Sequence, residues 1–221
     1  MLPGKLILWI DSEDLLDALA RPRIARLIKR GLEVRRGVRA YRAHNKYYNW
    51  TLTEEDGYLV VADDDVFYPR RWLESLWRTF EETSRAEVVG HLVKLPKLTI
   101  RGIAPYSDWA DSSDRSGRLG GVALGVSGVI FPDTLRKSLA RAGTEFLGRA
   151  PLADDIWIAW CALKAGVFVR QCGVSGVRHI VVPFTQTQQL AHENVLNGQN
   201  DRQVLNTYTD ADIKSIRASR A

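Results

Sequence analysis

The chain has 221 residues, 45% of them hydrophobic and 26% charged, with a formal net charge of +5. That supplies the core of one domain of ordinary size and excludes general disorder. The longest apolar run, residues 122–131, is about half of the roughly 20 residues a membrane-spanning helix needs, and Gly125 and Gly128 interrupt it.

In chain order, Leu6–Ile10 reads as a buried strand ending at Asp11, with Ser12 or Asp14 capping a weak helix behind it. Residues 24–30 form a second amphipathic piece that Gly31 stops, and residues 32–36 a short strand. Residues 41–50 mix aromatic and basic side chains without a clean period. Residues 58–62 are a continuous apolar run of the kind buried on both faces of a sheet, and they lead into Asp63-Asp64-Asp65. Pro69 opens a helix at a position where its missing N–H costs nothing. Trp72, Leu73, Leu76, Trp77 and Phe80 recur at helical spacing as its core face.

Residues 87–93 predict another strand, residues 103–121 a long loop, and residues 122–131 a strand with glycine-turn character. Pro132 and Asp133 begin a helix. Asp154 and Asp155 precede an apolar helix, residues 156–165, with Gly166 as its stop and residues 167–170 as a last strand. From Pro183 on, the chain is rich in Gln and Asn and is read only as a C-terminal segment. With no repeat and no linker, the alternation predicts a single α/β domain over residues 1–221 with a mostly parallel sheet.

Cys161 and Cys172 give neither a disulfide framework nor a CxxC metal spacing, so a reducing cytoplasm is the expected setting. The opening residues run straight into Leu6–Ile10, which is too short for a secretory leader. The basic balance favours anionic partners and allows peripheral contact with the inner membrane face.

Chemistry concentrates in a few places. Three adjacent carboxylates at the carboxyl end of a strand repel one another and gain from a divalent cation, although a solvated turn favoured by the helix dipole explains them as well. Asp154 is expected to cap its helix, with Asp155 free to serve as a general base. Gly120 to Gly128 permits close backbone approach but is neither a P-loop nor a dinucleotide fingerprint. Lys46, among His44, Tyr47 and Tyr48, offers a cation beside aromatic rings. His179 and His192 are candidate metal ligands, although a lone histidine is more often a surface or hydrogen-bonded residue.

The order Ala-Asp-Asp-Asp-Val-Phe-Tyr-Pro (62–69), Pro-Tyr-Ser-Asp-Trp (105–109), Gly-Val-Ser-Gly-Val-Ile-Phe-Pro (125–132) and Ala-Asp-Asp-Ile-Trp (153–157) resembles the nucleotide-sugar glycosyltransferases of the GT-A fold. The likeness is to bacterial family-2-type enzymes with a DDDxxYP signature. It covers roughly residues 6–206. It implies a three-layer GT-A-like fold and transfer of a sugar from a nucleoside-diphosphate donor, UDP first among them, to an acceptor hydroxyl in saccharide biosynthesis. By the same resemblance, Asp63 and Asp64 would meet the donor, Asp65 with Asp63 would hold Mn²⁺ or Mg²⁺, and Lys46 would be a second cation near the nucleotide. His179 is taken as the further metal candidate. Asp155 would be the base of an inverting transfer, with Asp154 orienting it. Tyr106 and Trp109 would form a sugar platform, and Gly125 and Gly128 would turn backbone amides toward the donor.

The acceptor implied is a saccharide or glycolipid, with nucleic acid ranking behind. The family's usual first strand, which ends in a Thr-Thr-x-x-Arg-like segment, is expected to be missing ahead of Leu6, leaving an apolar edge beside Leu6–Ile10. Two other classes remain open at this point. One is a phosphotransferase or nuclease placing two metal ions on Asp63, Asp65 and Asp155. The other is a non-catalytic module that binds sugar or nucleic acid.

Overall fold

Helix Asp154–Lys164 is apolar on nearly every side, and a helix of that kind is stable only when it is covered all round. The computed structural model, which describes residues 1–11, 14–53, 56–174, 176–182 and 198–220, buries it between two clusters. Trp157, Ile158, Cys161 and Ala162 pack with Tyr47, Phe131, Leu135 and Phe146. Ile156, Ala159 and Leu163 pack with Leu92, Trp109, Val122, Val204 and Ile216. Each large side chain fully buried this way contributes about 1.5–3 kcal/mol. The helix is thereby fixed, and its N-terminal acids with it.

The fold is mixed α/β, and its sheets depart from the mostly parallel expectation. The largest sheet among the described residues has the order Val169–Gln171, Val88–Gly90, Val129–Ile130, Val60–Val61. Only the first two strands are parallel; Val129–Ile130 runs antiparallel to both of its neighbours. The cause lies in residues 122–131, which are not one strand. Val122–Ala123 pairs with Val93–Leu95 in a second sheet, a 3-10 turn covers Gly125–Ser127, and Gly128 at φ +99° reverses the chain into Val129–Ile130.

Other elements also differ from the sequence reading. Leu6–Ile10 pairs in parallel with Leu32–Arg36 in a sheet of its own and is half-buried rather than buried. Within the run 58–62 only Val60–Val61 is strand. Of the face expected on helix Trp72–Glu82, Leu76 and Phe80 are fully buried, whereas Trp72, Leu73 and Trp77 are half-buried at its edge. The segment expected to be the last strand is followed by Ile180–Val181, which pairs antiparallel with Val66–Phe67. The long loop holds a 3-10 turn, Tyr106–Asp108, and a short strand, Ala110–Asp111. Asp14 stands at the N-cap of helix Leu15–Ala20 without a capping side-chain bond. Ser12 lies outside the described residues.

Beyond residue 197 the chain forms helices Gln199–Thr207 and Asp210–Ala218. A capping box between Thr209 and Asp212 starts the second. Asp212 also accepts from Trp160 Nε1 (3.1 Å) and Lys164 Nζ (2.9 Å), clamping this helix to the central one. No helix among the described residues is long and apolar enough to cross a membrane.

Candidate functional site

Lys46 is placed by the aromatic residues around it. It sits on helix Asn45–Thr51, whose Tyr47, Tyr48 and Trp50 are buried in the core, and it shares a face with Trp50 one turn on, both lining the same cleft. His44, fully buried, anchors the start of this helix. Its Nε2 lies 2.8 Å from the Ala150 carbonyl, its Nδ1 lies 2.8 Å from the Tyr47 hydroxyl, and its ring stacks on Phe146 at 4.1 Å. Nε2 must therefore donate to the carbonyl, and in the neutral ring Nδ1 accepts from the Tyr47 hydroxyl. Burial holds its pKa below the ordinary histidine value. Through Ala150, His44 ties the Lys46 helix to the turn that delivers Asp154.

The acidic triplet forms a turn between Val60–Val61 and Val66–Phe67. Two contacts set its shape. The Tyr68 hydroxyl accepts from the Asp63 backbone N–H (2.9 Å) and donates to the Val126 carbonyl (2.9 Å), joining the acidic turn to the glycine turn. On the other side, Val182 N–H donates to the Asp65 carbonyl at 2.7 Å. Asp64 is exposed, while Asp63 and Asp65 are half-buried. Asp63 Oδ1 lies 2.5 Å from Lys46 Nζ.

Asp154 and Asp155 occupy the first turn of the buried helix. Ala153, not Asp154, is the N-cap residue, and Asp154 makes no capping bond. Asp154 belongs instead to the charge cluster around Lys46. Asp155 Oδ1 accepts the Gly125 N–H at 2.9 Å, and a Cβ at position 125 would stand 3.3 Å from that oxygen. A side chain there would press on the carboxylate and shift it by a few tenths of an ångström.

Three acids thus crowd one ammonium. Burial alone would lower the Lys46 pKa, but Asp154, Asp63 and Asp155 together outweigh it and hold the group charged well above the ordinary lysine range. Asp63 is raised nonetheless, because burial costs its charge more than a share in one lysine returns. Asp155 is pushed well above the ordinary carboxylate range by burial and then by the charge of Asp154, against the pull of Lys46 and the Gly125 amide. Tyr68 is pushed up to about 12, chiefly by burial.

Lys46, Asp63, Asp64, Asp65, Tyr68, Tyr106, Asp154 and Asp155 all line one cleft of about 1950 Å³. Segments separated by up to about a hundred residues meet there. The far end of the cleft runs between the Leu6–Ile10 strand and the Val60–Val61 strand, the outer strands of their respective sheets.

Four of the expected site residues lie elsewhere. Trp109 is 3% exposed, its Nε1 bonded to the Ala104 carbonyl; it backs Tyr106 (ring centroids 4.8 Å apart) instead of lining the cleft as a platform. The Gly125 and Gly128 amides do not face a donor, because the first donates to Asp155 and the second to the Gly125 carbonyl. Gly128 instead seats Trp72, whose ring lies 2.2 Å from where its Cβ would be. His179 packs against the rings of Tyr68 (5.2 Å) and His91 (5.6 Å), behind the acidic turn and outside the cleft lining. His192 lies outside the described residues.

No group of three or more His, Cys, Asp or Glu side chains among the described residues is arranged to hold a metal. The donor set of the acidic turn is nevertheless all oxygen, which suits Mg²⁺ or Mn²⁺. Such ions commonly take one or two carboxylates and complete their shell with substrate phosphates and water. Asp64 and Asp65 bring two such carboxylates to the cleft wall beside Asp63, which is paired with Lys46. No family model matches the chain, and no curated protein matches its sequence.

Proposed function

We propose that this cleft binds a nucleoside-diphosphate sugar, UDP-linked in the first instance, and that the chain transfers the sugar to a hydroxyl of a saccharide or glycolipid within a GT-A-like fold. The observation that carries the reading is the convergence, around Lys46, of the acidic turn and the Asp154–Asp155 pair on one cleft wall.

The geometry supports the following roles. The acceptor oxygen attacks the anomeric carbon, the bond from that carbon to the diphosphate oxygen breaks, and the acceptor proton passes to Asp155. A base with a raised pKa, fixed in place by the Gly125 amide, suits that task near neutral pH. Lys46 carries a permanent positive charge that can move from Asp63 toward the leaving diphosphate, leaving Asp63 to take a donor hydroxyl. Asp65 and Asp64 would hold a divalent ion, which when bound supplies charge neutralisation to the diphosphate. Single displacement with Asp155 as base inverts the anomeric carbon. The two-ion nuclease reading finds less support, because an ammonium stands among the acids that would have to share the metals.

A melting series tests the reading. UDP, GDP, ADP and CDP, each with and without Mn²⁺, are added to the full chain. A ligand of the native state raises Tm by mass action. One nucleotide should raise it in the presence of Mn²⁺ and far less in its absence; a flat series across all eight conditions contradicts the proposal.

A further inference from the structure

One wall of the cleft takes no part in the donor chemistry. Lys94, on strand Val93–Leu95, and Arg178, just ahead of strand Ile180–Val181, both line it. Both ion-pair with a single carboxylate, Asp111: Lys94 Nζ lies 3.2 Å from Oδ1 and Arg178 Nη2 lies 2.7 Å from Oδ2. Two cations on one acid leave one positive charge over. Lys94 is set deep, its amine donating to the Trp109 carbonyl at 3.1 Å and lying 5.6 Å from the centre of the Tyr106 ring. The Arg178 side chain is 64% exposed and reaches into the open cleft.

Tyr106 stands between this group and the proposed base. Burial raises its phenol, and the charge of Asp155 raises it further, while Arg178 acts in the opposite direction. Its hydroxyl has no hydrogen-bond partner among the described residues, whereas its backbone N–H is fixed by Asp201 Oδ1 at 2.6 Å. The 3-10 turn Tyr106–Asp108 therefore holds an unused donor at the boundary between an acidic and a basic wall.

We propose that Lys94, Tyr106 and Arg178 form a subsite for an oxyanion on the acceptor sugar, a carboxylate or a phosphate, so that the acceptor is an acidic saccharide. This rests on reading the cleft as a transferase site. Hydrogen bonds from charged donors to an oxyanion are about twice as strong as neutral ones, and a guanidinium engaged by one nitrogen still presents others in a planar fork. The surroundings also orient such a ligand. Asp155, Asp154 and Asp63 repel the oxyanion while Arg178 and Lys94 attract it, so the sugar lies with its anion on the basic wall and a hydroxyl toward Asp155. A neutral sugar would leave the excess positive charge unused.

Calorimetric titration of the full chain, with UDP and Mn²⁺ present, compares methyl glucuronide, glucose 6-phosphate and methyl glucoside. At least one anionic sugar should bind about tenfold or more tighter than the neutral one, the magnitude expected of a charged hydrogen bond. Whichever is tighter identifies the oxyanion as carboxylate or phosphate. Arg178→Gln should reduce that ligand to the level of the neutral sugar without moving Tm or the UDP affinity. Equal or absent binding of all three sugars overturns the proposal. So does an Arg178→Gln protein that loses UDP affinity as strongly as acidic-sugar affinity, since the cations would then serve the nucleotide. Should UDP fail to bind while the acidic sugar still binds through Arg178, the transferase reading falls and the anion subsite stands.

Discussion

At the scale of single residues, Asp155 combines a cost to folding with a use in chemistry. Its carboxyl is held above the ordinary range by burial and by Asp154, so the folded chain keeps this proton more tightly than the unfolded chain does. The stabilisation is complete below the ordinary carboxylate range and is lost as pH rises through the raised value. Asn mimics the protonated acid and can still accept the Gly125 N–H. Asp155→Asn should therefore melt higher than the parent at pH 8, with the difference shrinking toward pH 4. Its nucleotide affinity should hold while turnover falls about 10²–10⁴-fold, the usual worth of a positioned base. A Tm difference that is flat in pH, or parental turnover, counts against the assignment.

Tyr68 is the complementary case. It sat inside a recognisable motif, yet the sequence says nothing of its hydroxyl, whose partner Val126 is 58 residues away. His44 is similar, since its bond to Ala150 spans 106 residues. Acids announce themselves by their charge and by their place at a strand end, whereas the residues that position them are defined by who lies across the fold. Tyr68→Phe removes the acceptor of the Asp63 N–H and should cost about 1–3 kcal/mol in chemical denaturation. It should also weaken nucleotide binding, because the acidic turn loses its link to the glycine turn.

At the scale of elements, helical spacing placed Trp72–Glu82 correctly but could not rank the residues on its face. Leu76 and Phe80 lie under the sheet with Val89 and Ile130, while Trp77 rests at the rim against Tyr58 and Arg85. Phe80→Ala should cost about 3–5 kcal/mol, and Trp77→Ala clearly less, about 1–2 kcal/mol, because part of that ring is already wet. Urea denaturation of both variants checks the order. The run 122–131 shows a second limit. Apolar character was legible there, but a period cannot reveal that Val122–Ala123 and Val129–Ile130 serve different sheets. The reversal depends on Gly128, where φ is +99° and the Trp72 ring fills the space of a side chain. Gly128→Ala should cost at least the roughly 1–3 kcal/mol of a strained backbone, with Trp72 displaced from its bond to the Ser127 carbonyl. A shift in tryptophan fluorescence reports that displacement.

At the scale of the whole molecule, alternation of strands and helices gave the α/β class, and the motif order gave the segments that meet in the cleft. The antiparallel insertion in the largest sheet and the C-terminal helices were not legible, because short strands and polar helices are set by tertiary pairing more than by local pattern. The net charge of +5 did not foretell a cleft whose centre is three acids around one lysine. The central claim is that this centre takes a nucleoside diphosphate together with a divalent ion. Calorimetric titration of UDP into the full chain, in Mn²⁺ and in EDTA, with Asp65→Asn alongside, tests it most directly. Binding heat should appear in Mn²⁺, nearly vanish in EDTA, and be absent from Asp65→Asn in either buffer; equal binding in both buffers, or none in Mn²⁺, would contradict the account.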